Sequence, residues 1–128
     1  MPFIPLFLYN PIQNKGLPIA GLLDTGADSC VFPSVIATNT GHNLKADGVV
    51  KSLSRGVDDT TVTTWRHTFE IWLLRPDRQN IAWKSSPTLI SCVDHNNIPP
   101  LLGYNDFLSN FCITFDYLKN KVIIFIPQ

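Results

Sequence analysis

Asp24 is the residue whose type and surroundings most clearly suggest chemistry. It directly follows an apolar run at residues 19–23, and a second acid, Asp28, lies four positions later. A carboxylate at the end of a buried strand is costly to desolvate unless hydrogen bonds or a second acid compensate it. Thr25 can lock the loop through its hydroxyl, and Gly26 allows close backbone approach, so we expect Asp24 to line a cavity. Asp-Thr-Gly alone, however, is also ordinary turn chemistry.

Other groups of reactive residue types are weaker candidates. Cys92, Asp94 and His95 are close in sequence, but their spacing is not a recognised ligand pattern, so we predict no metal site. His42 and His67 have no nucleophile elbow of the Gly-x-Ser-x-Gly kind beside them and are interpreted as a loop residue and a strand residue. The three cysteines form no Cys-x-x-Cys pair, which indicates buried, reduced thiols.

The composition limits the kind of molecule that holds these residues. A chain of 128 residues is predicted to form one domain over residues 1–128. Ten basic and ten acidic residues give zero net charge, which argues against nucleic acid and anionic membranes as partners. Hydrophobic residues make up 45% of the chain and indicate a folded oligomer. Residues 1–12 contain three prolines and no cation, unlike a signal peptide or membrane helix, so we expect a soluble, cytoplasmic protein.

The spacing of apolar residues predicts a mostly β protein. Ten prolines and seven glycines interrupt the chain too often for long helices. Residues 64–73 alternate, with the odd-numbered positions from Trp65 to Leu73 on one face, as in a half-buried strand. A helix is predicted at residues 104–110, and one or two helical turns at residues 33–40. Further strands are predicted at residues 3–9, 17–23, 46–53, 81–93, 98–103, 111–117 and 122–126.

Two motifs together resemble the retropepsin-like aspartic proteases. Residues 22–29 read Leu-Leu-Asp-Thr-Gly-Ala-Asp-Ser, and residues 101–103 read Leu-Leu-Gly, directly before the predicted helix. Residues 113–116 and the closing hairpin also look like the end of cellular and bacterial members, so the resemblance covers nearly the whole chain. It implies an all-β, single-domain closed barrel with one short C-terminal helix, active as a homodimer on a peptide or protein substrate.

The resemblance also implies roles for individual residues. Asp24, Thr25 and Gly26 correspond to the catalytic motif. Ala27 and Asp28 correspond to substrate-binding positions. The turn at residues 54–59, which includes Gly56 and Val57, is the candidate tip of a flap that contacts substrate.

One position departs from the family pattern. In viral members, the residue after the glycine of the second motif is usually an arginine, and this arginine pairs with the acid equivalent to Asp28. This chain has Tyr104 at that position. Asp28 therefore lacks its expected internal partner. The Tyr104 hydroxyl, Arg55, Arg66 and a substrate backbone N–H all remain open as replacements.

A chain with one such aspartate holds half of the required chemistry. Acid and base action on a peptide bond needs two carboxyls that share one proton, because two like charges about 3 Å apart cannot both ionise. The sequence therefore predicts an aspartic endopeptidase whose pair of Asp24 carboxyls forms across a homodimer and activates water. This chemistry requires no metal, cofactor or covalent intermediate. The alternative is a catalytically inactive dimeric module for peptide binding or assembly.

Overall fold

The computed structural model describes residues 2–46, 48–55 and 61–127, with all of their side chains except those of residues 54 and 55. The β-strand is the main regular structure of the described residues, as predicted. Within the described ranges, one α-helix, α1 (Ser34–Asn39), and one 3₁₀ turn (Leu108–Asn110) accompany the strands. The strands are β1 (Phe3–Asn10), β2 (Lys15–Leu23), β3 (Val31–Phe32), β4 (Val50–Arg55), β5 (Thr61–Leu74), β6 (Ile81–Lys84), β7 (Thr88–Cys92), β8 (Leu101–Leu102), β9 (Cys112–Asp116) and β10 (Lys121–Phe125).

Six strands close into a small barrel. Their order is β1-β2-β8-β3-β7-β5, and β5 returns to pair with β1 through Leu6–Leu73 to Tyr9–Glu70. The barrel is mixed, because β2 runs parallel to β8 and β3 runs parallel to β7. The predicted closed barrel is thereby confirmed. Closure satisfies the backbone hydrogen bonds of these short strands around a common core.

Strand β5 shows why the alternating pattern forms a barrel wall. Trp65, His67, Phe69, Ile71 and Leu73 are all buried, as their spacing predicts. Phe69, Ile71 and Leu73 belong to the hydrophobic core, while Arg66 on the other face is exposed. The fully buried side chains that fill the barrel beside them include Leu6, Leu8, Leu23, Phe32, Ile90, Leu102 and Phe107.

The helix predicted at residues 104–110 is wrong in type. This segment consists of turns followed by the 3₁₀ turn. The α-helix is α1, whose six residues confirm the one or two helical turns predicted at residues 33–40. The Gly103 carbonyl accepts hydrogen bonds from both Phe107 and Leu108, which breaks the regular α-helical repeat. Fully buried Phe107 packs against Trp83 and Phe111, so tertiary contacts determine the path of this segment.

Several predicted strands also differ: the strand predicted at residues 98–103 is reduced to the two residues of β8, and β3 was not predicted. Strand β4 begins at Val50 rather than at residue 46, after a turn. The strand predicted at residues 81–93 is divided into β6 and β7. At the break, the Ser85 N–H donates to the Ile71 carbonyl and the Ser85 hydroxyl accepts from the Ile71 N–H, so a side chain replaces one ladder bond.

Two hairpins extend beyond the barrel wall. Residues 61–64 of β5 pair with β4, whereas pairing of β5 with β7 begins only at Trp65. At the other hairpin, β9 and β10 form a separate two-stranded sheet. Its inner side chains, Val122 and Ile124, pack against the core, and its outer face exposes Ile123 and Phe125. Among the described residues, no helix is long and apolar enough to cross a membrane.

Candidate functional site

The loop that follows β2 presents Asp24 at the surface of the barrel. Asp24 is partly buried, and its Oδ1 atom accepts a hydrogen bond of 3.0 Å from the Gly26 N–H. The Asp24 carbonyl accepts a second bond, of 3.1 Å, from the Ala27 N–H. One carboxyl oxygen is therefore fixed by its own loop. This arrangement orients the acid while leaving it accessible, as a group that exchanges protons requires.

Residues 102–106, which we call the clamp, hold this loop from the other side. The Asp24 N–H donates to the Leu102 carbonyl at 3.1 Å, and β8 pairs in parallel with the end of β2. The N–H groups of Tyr104 and Asn105 donate to the carbonyls of Ala27 and Asp28, at 3.0 and 2.8 Å. The clamp thus brings together two motifs that are almost eighty residues apart in sequence.

Gly103 is the position where the clamp and the loop approach most closely. A Cβ atom added there would lie 2.5 Å from the carbonyl oxygen of Ser29 and 2.7 Å from its Cα atom. At Gly26, by contrast, the nearest atom to an added Cβ would be Asp24 Oδ1 at 3.5 Å, an ordinary contact. Within one chain, the close approach that we expected at Gly26 therefore occurs at Gly103.

Asp106 and Cys30 complete the support of the loop, and the sequence analysis missed both roles. Asp106 Oδ2 accepts a hydrogen bond of 2.8 Å from the Cys30 N–H, and the Gly103 N–H donates to Cys30 Sγ at 3.4 Å. Burial raises the pKa of the Cys30 thiol to about 12, so it remains a neutral packing group. The available sequence signal is that Asp106 lies three residues after Gly103, inside the segment predicted as a helix.

The predicted site residues differ in their surroundings. Thr25 and Asp28 are exposed, and Ala27 is partly buried. Within the described residues, the Thr25 hydroxyl has no hydrogen-bond partner, so backbone bonds rather than this hydroxyl lock the loop. The predicted flap residues Gly56 and Val57 lie outside the described residues.

The replacements considered for the missing arginine can now be compared. Tyr104 is exposed, and its hydroxyl makes no hydrogen bond to Asp28 among the described contacts. The Arg66 guanidinium points elsewhere, with Nη2 at 3.4 Å from the Leu89 carbonyl oxygen. The side chain of Arg55 lies outside the described part of the chain.

The two histidines on the barrel form a structural pair. Their rings are 4.6 Å apart, and His42 Nε2 lies 2.8 Å from the Thr68 carbonyl while His67 Nε2 lies 2.9 Å from the Leu44 carbonyl. These bonds fasten the loop after α1 to β5. Among the described residues, no three His, Cys, Asp or Glu side chains are grouped as a metal site would require.

No family model matches this chain, and no curated protein matches it either. The resemblance to the retropepsin-like family therefore depends on the two sequence motifs, and the structure adds a small closed six-stranded barrel.

Proposed function

We propose that this chain is an aspartic endopeptidase of the retropepsin type that acts as a homodimer. The observation that carries the proposal is that the clamp joins both motifs, while the Gly26 N–H of the loop itself fixes one oxygen of an accessible Asp24 carboxyl. A plain turn needs no such second segment.

The proposed mechanism uses one Asp24 from each of two chains. The ionised carboxylate takes a proton from water, and the water oxygen attacks the carbonyl carbon of the scissile peptide bond. The other Asp24, which is protonated, donates a hydrogen bond to the carbonyl oxygen and stabilises the developing charge. The proton gained by the base then passes to the leaving nitrogen as the C–N bond breaks. Symmetry makes the two roles exchangeable between the chains.

The C-terminal hairpin supports assembly with a second copy. Its outer face carries Ile123 and Phe125, which are 55% and 66% exposed. Among the described residues β10 pairs only with β9, so its other edge has unused hydrogen-bonding groups. An exposed strand edge beside apolar side chains favours pairing with another chain. We therefore assign this face to the homodimer.

The hairpin of β4 and β5 supports binding of an extended peptide. Its two strands remain paired from Val50–Arg66 to Arg55–Thr61, beyond the point where β5 leaves β7. A projecting hairpin of this kind can fold over a substrate and exclude water. We propose that this hairpin is the flap.

Substitution of Asp24 tests the proposed activity. Asn is nearly isosteric with Asp but cannot take up and release the shared proton, so Asp24→Asn should reduce turnover of denatured casein about a thousandfold. The measurement is peptide release by the purified protein, with and without a statine-type transition-state analogue. Asp77→Asn is the matched control, because Asp77 only accepts bonds from Gln79 and Asn80 in an exposed turn.

The outcome separates the enzyme from its alternative. Equal turnover by wild type and Asp24→Asn would exclude Asp24 as the catalyst. A folded wild-type dimer that binds the inhibitor and extended peptides but releases no product would instead favour the inactive binding or assembly module.

A further inference from the structure

Asp28 differs from every other described carboxylate in its surroundings. It is exposed, and among the described residues its side chain has neither a hydrogen bond nor a cation within ion-pair distance. The remaining described acids all have partners. Asp24, Asp77, Asp106 and Asp116 accept backbone N–H bonds, Glu70 accepts from Trp72, and Asp94 pairs with Lys45.

The backbone of Asp28 is nevertheless held in place. Its carbonyl accepts the 2.8 Å bond from Asn105, and the preceding carbonyl of Ala27 accepts from Tyr104. Because the backbone of Asp28 is already ordered, little backbone entropy is lost there when the unpaired carboxylate binds a ligand.

The two chain segments that form this site contain no lysine or arginine that could balance the negative charge of their aspartates. Residues 16–44 and 85–118 contain no lysine or arginine, and all ten cations of the chain lie outside these two runs. The Asp24 loop belongs to the first run, and the clamp belongs to the second. Both segments that build the site therefore contribute negative charge and no positive charge, although the whole chain is neutral. Such a local field attracts cationic ligands and selects among them.

We propose that Asp28 selects peptides that have a lysine or arginine near the scissile bond. This inference depends on the proposed function and specifies its substrate class. Asp28 follows Asp24 by four residues, so their Cα atoms are at most about 14 Å apart, the length of four extended residues. The basic residue should therefore lie within about four positions of the scissile bond. The two-fold symmetry of the dimer would place one Asp28 on each side of that bond.

Matched peptides test the selection. Octapeptides of one sequence carry Lys, Arg, Met or Glu at each position in turn, and kcat/KM is measured for wild type, Asp28→Asn and the control Asp77→Asn. We expect wild type and the control to favour Lys or Arg over Met by about five-fold at one position, in the range of an exposed ion pair. Asp28→Asn should remove this preference, and added salt should weaken it in the other two proteins.

If peptides are cleaved, two results would overturn the inference about Asp28 and would leave the proposed peptidase activity intact. A preference for basic residues that Asp28→Asn leaves unchanged would assign the selection to another group. Equal slowing of all peptides by Asp28→Asn would mean that Asp28 binds the substrate backbone rather than a side chain.

Binding measurements decide the question if no peptide is cut. Fluorescence polarisation of labelled Lys and Met peptides is compared between Asp24→Asn and the double variant Asp24→Asn/Asp28→Asn. Tighter binding of Lys peptides that requires Asp28 would support the charge selection while the proposed turnover fails. Equal binding of both peptides by both variants would overturn the inference as well.

Discussion

The Asp24 loop and the C-terminal hairpin differ in how far a single chain supplies the hydrogen bonds and packing contacts that each of them needs. The loop is bonded to the clamp at Leu102, Tyr104, Asn105 and Asp106, and Gly103 leaves no room for another atom. The hairpin forms its own two-stranded sheet, and a cleft of about 780 Å³ lies between it, β1 and the β5–β6 turn.

The difference indicates which parts of the proposed enzyme belong to one chain and which require two. Positioning of a single carboxyl is complete within the protomer. The apolar outer face and the free edge of β10 are incomplete, and so is the pair of acids that the chemistry needs. A second copy would supply both, which connects assembly directly to catalysis.

The largest expected effect comes from filling the space at Gly103. Gly103→Ala would force a methyl group against the Ser29 backbone, so we expect a loss of about 3 kcal/mol in the free energy of unfolding. Gly26→Ala is the matched control, since its added methyl group meets only an ordinary contact. Urea unfolding measures both variants. Equal stabilities would contradict the tight packing of the clamp.

Negative charges introduced on the outer face of the C-terminal hairpin should prevent dimerisation without preventing folding. Ile123→Asp with Phe125→Asp should give a folded monomer without activity, because exposed substitutions usually change the free energy of unfolding by only about 0.5 kcal/mol. Leu118→Asp is the control, because Leu118 is fully exposed in the β9–β10 turn. Sedimentation velocity reports the oligomer. A double variant that remains an active dimer would place the interface elsewhere.

Thiol labelling should sharpen the same comparison. Burial raises the pKa of both Cys30 and Cys92 to about 12, whereas Cys112 is exposed on the outer face of the hairpin. In dilute native protein, Ellman's reagent should therefore modify Cys112 quickly and the other two cysteines only after unfolding. Cys112 should react more slowly at concentrations where the dimer forms. A rate that does not depend on protein concentration would argue against cover by a second copy.

A smaller effect is expected from the histidine pair, which lies in neither region. Burial lowers the pKa of His42 despite its bond to the Thr68 carbonyl, and nearby His67 acts in the same direction as burial. The folded state then binds the proton less readily than the unfolded state. The resulting stabilisation is complete above the unfolded pKa of about 6.5 and is lost as the pH falls below it.

The measurement is the melting temperature at about pH 7.5 and pH 5.5, on either side of that unfolded value. Wild type should lose more than His42→Gln, whose amide can still donate to the Thr68 carbonyl. An equal decrease in both proteins would contradict the role of His42.

Much of the barrel could be predicted because strand periodicity is local. The alternation from Trp65 to Leu73 directly encodes which face of the strand is buried. The irregular turn at residues 104–110 could not be predicted in the same way, because Phe107 packs against residues distant in sequence. The support from Asp106 and the tight contact at Gly103 also depend on tertiary approach, which residue types alone do not specify.

Mixing wild type with Asp24→Asn tests most directly whether two chains share one catalytic centre. If the chains exchange freely and mixed dimers are inactive, activity per wild-type chain should fall to about one half in an equal mixture and about one tenth at nine-fold excess. Asp24→Asn that also carries Ile123→Asp and Phe125→Asp should not inhibit, because it should not pair. Activity per wild-type chain that stays constant at every ratio would contradict the shared pair of Asp24 carboxyls.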